Sequence, residues 1–385
     1  MDRRSFLLGT GTLALSQLLA GCNSQDAAQL RVQLLRGSIP VQVVNKFRST
    51  LKQRANLQFA PVAQLNDLFK QLQSGSKQQE EAADKRVFLP LPFINSRQIT
   101  QPDLITLGDY WLEQAIKEKL IQPLNEAKLP QWSALPDRWQ ELVKRNDQGQ
   151  LDAEGKVWAA PYRWGNTVIA YNKDKFKDLG WTPTDWSDLW REELRNRISL
   201  LNQPREIIGL TLKKLQQSYN TQNLNKVLNL EQQLRTLDQQ VKFYSSDSYL
   251  QPLILGDTWV AVGWSTDVLP VIQRYQQIAA VVPRSGTALW ADLWVHPAGE
   301  TSSTSLGEQW IDFCWTPQIA QQVSLQTKAT SPIPVTLKPD DIQKPLRNLL
   351  LQNPEIFQRS EFLLPLPQAT MQQYQSLWER IRMKV

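Results

Sequence analysis

The sequence holds two cysteines, one histidine and three methionines in 385 residues. With so few, several chemistries drop out at once. The thiols are Cys22 and Cys314. If Cys22 is consumed by processing, the mature chain has no internal disulfide. Cys314 sits in the apolar stretch W-I-D-F-C-W and reads as a small buried hydrophobe. One histidine, His296, and no cysteine pair exclude the usual zinc spacings. A Ser-His-Asp triad would have to use His296, and no G-x-S-x-G elbow is present. An enzyme needs a nucleophile–base pair or a metal set, so the reading is of a non-enzyme without metal or cofactor. Dense Lys/Arg blocks are also missing. The 43 basic and 37 acidic residues leave a net charge of +6, scattered along the chain, which argues against nucleic acid as a partner.

What the chain has in excess is tryptophan, fifteen in all. Several stand beside Asp and Gly rather than in apolar runs. The length suggests two domains or one large one, with a substantial core.

Residues 1–22 read as a targeting segment. Arg3 and Arg4 precede an apolar run too short to span a bilayer as a permanent helix. The run ends in Leu19-Ala20-Gly21-Cys22, which resembles the bacterial lipobox, a signal peptide whose cysteine becomes an acylated N-terminus. Lipid on Cys22 would tether the chain to a membrane and make it a periplasmic, membrane-anchored lipoprotein. Residues 23–29 read as a polar linker.

Beyond the linker, strands and helices alternate. Strands are expected at 30–35, 56–62 and 103–107, with helices opening at Pro40 and spanning 63–73 and 110–119. This order argues for an α/β fold with a largely parallel sheet. Residues 74–86 read as an exposed loop. The stretch 158–172, W-A-A-P-Y-R-W-G-N-T-V-I-A-Y-N, ends in a β-prone run and reads as a strand crossing between lobes. Further strands are expected at 198–201, 241–244, 260–264, 278–282 and 288–295, the last crossing back. A helix start falls at Trp186. A helix follows Pro204, and a long amphipathic helix is expected over 224–238.

Five blocks in order carry a resemblance: P-D-L-I-T-L-G-D-Y-W (102–111), P-Y-R-W-G-N-T-V-I-A-Y-N (161–172), W-S-D-L-W (186–190) with P-R-E (204–206), V-G-W-S-T-D (262–267) and L-W-A-D-L-W-V-H-P (289–297). The chain is similar to the bacterial periplasmic spermidine/putrescine-binding proteins, the solute receptors of ABC importers. The resemblance implies the two-lobe, type II periplasmic-binding-protein fold. Each lobe would hold a mixed, mainly parallel sheet flanked by helices, joined by crossing hinge strands. Lobe 1 would comprise 30–163 plus 292–331, and lobe 2 would comprise 164–291 plus 332–385. It also implies a monomeric receptor serving an ABC permease in the inner membrane. Its small, polyamine-like ligand would lie in the cleft between the lobes.

A polyamine needs carboxylates for its ammonium groups and aromatic faces for its stem. The family's ligand contacts fall on Tyr110, Glu206, Trp264, Asp267, Trp290 and Asp292. From the residues alone, Trp264 and Trp290 serve equally as core, and Glu206, Asp267 and Asp109 as helix-start acids. Departures from the pattern lie at 35–40, which lacks an aromatic and brings Arg36 near the expected cleft, with Arg31 upstream. Gln203 and Ser331 also depart, standing where an acid and a tyrosine are expected. They leave a second reading: the same fold with an altered cleft, taking a non-polyamine molecule or acting as an assembly or interaction factor.

Overall fold

The computed structural model describes residues 28–85, 101–299, 305–351 and 353–383. Cys22 and the whole of 1–22 lie outside the described residues. The expected linker stops short of residue 29, because Ala28 and Gln29 already pair with Ala55 and Asn56.

Strand β1, Ala28–Leu35, shows why this segment is a strand: Leu30, Val32 and Leu34 alternate inward while Arg31 and Gln33 are only half-buried. It pairs in parallel with β2, Ala55–Val62, and with β3, Leu104–Gly108. Two long strands then join the halves of the molecule. These are β4, Ala160–Asn172, and the last long strand, β9, Ala288–Pro297. Between them come β5 (Ile198–Leu200), β6 (Val241–Tyr244), β7 (Val260–Trp264) and β8 (Ile278–Val281). The sheet order is β2-β1-β3-β9-β4-β7-β5-β6, with β8 also on β4. The outer pairs β1–β2, β1–β3, β7–β5 and β5–β6 are parallel; β4 and β9 pair antiparallel with each other and with β3, β7 and β8, and β9 also pairs in parallel with Glu361–Phe362.

The crossing is sharp. Asn166 of β4 pairs with Leu289 of β9, and the next residue, Thr167, pairs with Trp264 of β7. The apolar cores divide at the same place. Trp164 and Leu289 belong to the first core, Val168 and Ala288 to the second. A third strand of chain crosses nearby, where Trp164 and Thr330 exchange both backbone hydrogen bonds. Not all of 332–385 follows the second core. Phe362 lies in the first core against Trp139, and Phe357 packs on Trp164, while Asn220 of the second half holds the Phe362 carbonyl.

Two local expectations are corrected. Residues 74–85 are not a loop but continue the helix Leu65–Lys85. Their Gln, Glu, Lys and Ala are strong helix formers, and polarity alone does not end a helix. The helix expected over 224–238 is broken: a turn at Leu224–Lys226 gives way to the helix Leu230–Gln240. Asn229 takes a positive φ of 61° at the break, and Leu228 is left 85% exposed. The Trp186 signal is a capping box of Asp185 and Asp188, though it starts only a short 3-10 turn, Trp186–Trp190.

Cys314 is buried, and burial pushes its thiol up from the ordinary range. His296 is buried with Nδ1 2.8 Å from the Asp103 carbonyl, and desolvation lowers its pKa. Among the described residues, no helix is long and apolar enough to cross a membrane, and no acid, His or Cys group could hold a metal ion.

Candidate ligand-binding cleft

On the second side of the crossing, β7 ends at Trp264 and the helix Ser265–Arg274 starts at once. Gly263 makes this end possible: a Cβ there would collide with the ring of Tyr249. With that ring tucked beneath the strand, Tyr249 Oη accepts the Trp264 backbone N–H at 3.1 Å and donates to Asp267 at 2.9 Å. Asp267 itself is exposed.

Glu206 reaches Trp264 from another element. Pro204 pre-sets the first turn of the helix Pro204–Lys214, and Glu206 falls in that turn, where a carboxylate suits the helix dipole. Its side chain accepts from Trp264 Nε1 at 3.2 Å and from Thr167 Oγ1 at 3.1 Å. It is 6% exposed, and burial raises its pKa to about 7, opposed by those hydrogen bonds and by Arg205.

On the first side, Asp292 is not free. Arg163 Nε donates to its Oδ2 at 2.6 Å, and both side chains are nearly fully buried. A register shift causes this: Arg163 opposes Asp292, yet Pro161 opposes Leu293, so Tyr162 is the extra residue of a bulge. The bulge lets two consecutive residues address one row of β9. Tyr162 stacks on Trp294 at 4.2 Å between centroids, and Arg163 meets Asp292, two residues before Trp294. Burial pushes the Asp292 carboxyl up, and the guanidinium pulls against it. Asp109, at the turn after β3, accepts the Ala291 N–H at 3.0 Å. Burial raises its pKa to about 7, and neighbouring Asp292 adds to the rise.

Trp290 joins the two sides. It is half-buried, with the Arg163 guanidinium 5.9 Å from its ring centre and its buried Nε1 without a hydrogen-bond partner. Its indole lies over Gly165, where a Cβ would strike both the ring and Ser265 Oγ. Gly165→Ala is therefore expected to push Trp290 away from the crossing strand and to cost about 1–3 kcal/mol, the usual range for overpacking. Urea unfolding followed by tryptophan emission measures both effects. An unchanged midpoint and spectrum would show that the ring does not seat on Gly165.

Tyr110 stands 53% exposed, edge-on to Trp111 at 6.0 Å. It lines a cavity of about 330 Å³ together with Pro204, Arg205 and the helix Gln368–Arg382. Arg205 is buried, bonded to the Leu364 carbonyl at 3.1 Å and to Asn220 at 2.9 Å.

Of the six residues expected to bind ligand, Glu206, Trp264, Trp290 and Asp292 are linked by contacts around the crossing strands, Asp267 joins them through Tyr249, and Tyr110 stands apart, on the cavity it shares with Arg205. Glu206 bonds Trp264. Ser265, next along the chain, meets Gly165 under Trp290. Trp290 lies beside the Arg163–Asp292 pair. The sequence reading missed Arg163, Thr167 and Tyr249. It also set Asp109 aside as a helix-start acid. The cation reaching an acid of the site is Arg163, not Arg31 or Arg36: Arg31 is engaged with Asp103 at 3.5 Å, and Arg36 is exposed.

Residues 100–349 match the family described as bacterial extracellular solute-binding protein. The chain is 27% identical over 223 residues to the spermidine/putrescine-binding periplasmic protein of Escherichia coli, covering 58% of this chain and 61% of that protein. It is 25% identical over 283 residues to a putrescine-binding periplasmic protein of the same organism, covering 66% of this chain and 75% of that one. In structure it is similar to a spermidine/putrescine ABC transporter substrate-binding protein from Streptococcus pneumoniae. The TM-score is 0.73 at 18% identity, over 93% of this chain and 99% of that one. The match thus spans less than two thirds of the first of these relatives.

Proposed function

The chain belongs to the bacterial extracellular solute-binding proteins, and from that premise we propose that it is the extracytoplasmic receptor of an ABC importer, closing on a small organic cation of the polyamine kind. One observation carries the reading. Glu206, buried and, among the described residues, without a salt-bridge partner, bonds the indole of Trp264, with Asp267 three residues further along the chain. A buried carboxylate against an aromatic face is what an ammonium group requires. The crossing strands lie beneath it, so a ligand touching both sides would stabilise a closed state by its differential affinity.

The relatives named for spermidine and putrescine supply the ligand class, and the family supplies the permease as partner. Calorimetry with putrescine, spermidine, simple monoamines, amino acids and sugars tests the ligand. Small-angle scattering at saturation tests closure, with a slight fall in the radius of gyration expected. Heat only with sugars or neutral amino acids would remove the cation from the proposal. Demonstrated occupancy without a change in radius would remove the hinge.

Lipid anchoring through Cys22 belongs to the same proposal and rests on the L-A-G-C box behind the twin arginines. Cys22→Ser is expected to abolish fatty-acid labelling of the protein in cells. Retained labelling would end the assignment. A second reading, an altered cleft, is favoured by one observation, the Arg163–Asp292 pair.

A further inference from the structure

Resting on the receptor reading above, we infer that Arg163 sets the charge of the ligand: with its guanidinium on Asp292, the cleft takes an organic cation bearing a single positive charge. The argument follows each acid of the cleft to its partner. Asp292 is taken by Arg163 at 2.6 Å, and the pair is nearly dry. Asp109 is tied to the Ala291 N–H beside that pair. An ammonium brought to either acid would stand next to a fixed guanidinium, and a cation without its own counter-charge is strongly disfavoured in a desolvated cleft.

Two acids remain, Glu206 and Asp267, and both are tied to Trp264. Glu206 holds the Trp264 indole N–H, and Asp267 holds the Tyr249 hydroxyl that accepts the Trp264 backbone N–H. Asp267 also lies within reach of the Arg163 charge and of Asp292, so Glu206 is the acid on which that guanidinium does not act. Further along the cleft, Arg205 lines the cavity below Tyr110 and, among the described residues, forms no ion pair with a carboxylate. It adds a second fixed positive charge near Glu206, against a ligand carrying more than one ammonium group. The chemistry that fits is one ammonium or guanidinium group on an uncharged body, with Trp264, Trp290 and Tyr110 available to its apolar part.

Calorimetry on the full chain with n-butylamine and putrescine, two amines of equal carbon number and different charge, tests this. The wild type is expected to bind putrescine less than threefold tighter than butylamine. Arg163→Met frees Asp292 and is expected to raise the preference for putrescine to tenfold or more. A wild type that binds putrescine threefold or more tighter overturns the inference and leaves the receptor reading intact. A folded Arg163→Met with no gain for putrescine overturns the role of Arg163. If that variant does not fold, the wild-type comparison decides alone. If neither amine binds the wild type at millimolar concentration, the amine receptor itself falls and the inference with it.

Discussion

Asp292→Ala is expected to destabilise the fold by about 3–5 kcal/mol, the usual cost of removing one partner of a buried ion pair. The variant would leave the Arg163 guanidinium inside the crossing region with no counter-charge. Asp292 and Arg163 are 1% and 2% exposed, so solvent does little to soften the loss. Replacing both partners by apolar residues of similar size, Arg163→Met with Asp292→Leu, is expected to be nearly neutral in stability. The double variant removes the desolvation of both charges together with their attraction. Urea unfolding of the single and double variants forms the test. A single-variant loss below about 1 kcal/mol, the level of an exposed pair, would mean the pair is open to water. The result also bears on binding experiments: a weakened Asp292→Ala variant reports first on the fold and only then on a ligand contact. Among the acids, Glu206 is the cleaner probe of the cleft.

The crossing strands were legible because their composition is non-local in its consequence: thirteen residues of β4 face protein on nearly all sides, so the run lacks the alternation of a surface strand. Trp264, Asp267, Trp290 and Asp292 stand out by the same local patterning, an aromatic two or three residues from an acid. That pattern does not discriminate by itself. Trp186 and Trp190 also flank an acid, Asp188, yet Trp186 is fully buried and its indole donates to the Gly286 carbonyl. What sequence could not supply is the partner of Asp292. Alternation along a strand puts Tyr162 and Arg163 on opposite faces. The bulge that turns both toward β9 is set by the register against residues about 130 positions away, as the Arg163–Asp292 separation of 129 shows. The helix beyond Ser74 was misread for a simpler reason, since polar residues with high helix propensity resemble a loop when only hydrophobicity is weighed.

Glu206→Gln is expected to weaken cation binding by roughly 30-fold or more, since truncating or neutralising one member of a desolvated charge pair costs about 2–5 kcal/mol and each 1.4 kcal/mol is tenfold. The substitution keeps an acceptor for Trp264 Nε1 and Thr167 Oγ1, so it removes charge with little change of shape. The pH dependence isolates the cause. Burial holds the Glu206 pKa at about 7 instead of the ordinary 4.5, so at neutral pH the empty cleft carries this acid partly protonated. A cation binds the ionised form. Affinity should therefore rise between pH 6 and 8, and binding below pH 7 should release a proton, as the pKa of about 7 requires. Stability of the unliganded protein should run the opposite way. A carboxyl whose folded pKa lies above its unfolded value contributes stability that is fully present below the unfolded value. That contribution is lost as pH rises through about 7. Asp109, also raised to about 7, lies by Ala291 and Asp292 and titrates in the same range. Only the slope that disappears in Glu206→Gln belongs to Glu206. Titration calorimetry at several pH values, in two buffers of different ionisation enthalpy, reads both the slope and the proton count. A wild-type affinity that is flat across this range, or a slope that Glu206→Gln leaves undiminished, would place the ligand's charge on another acid of the cleft.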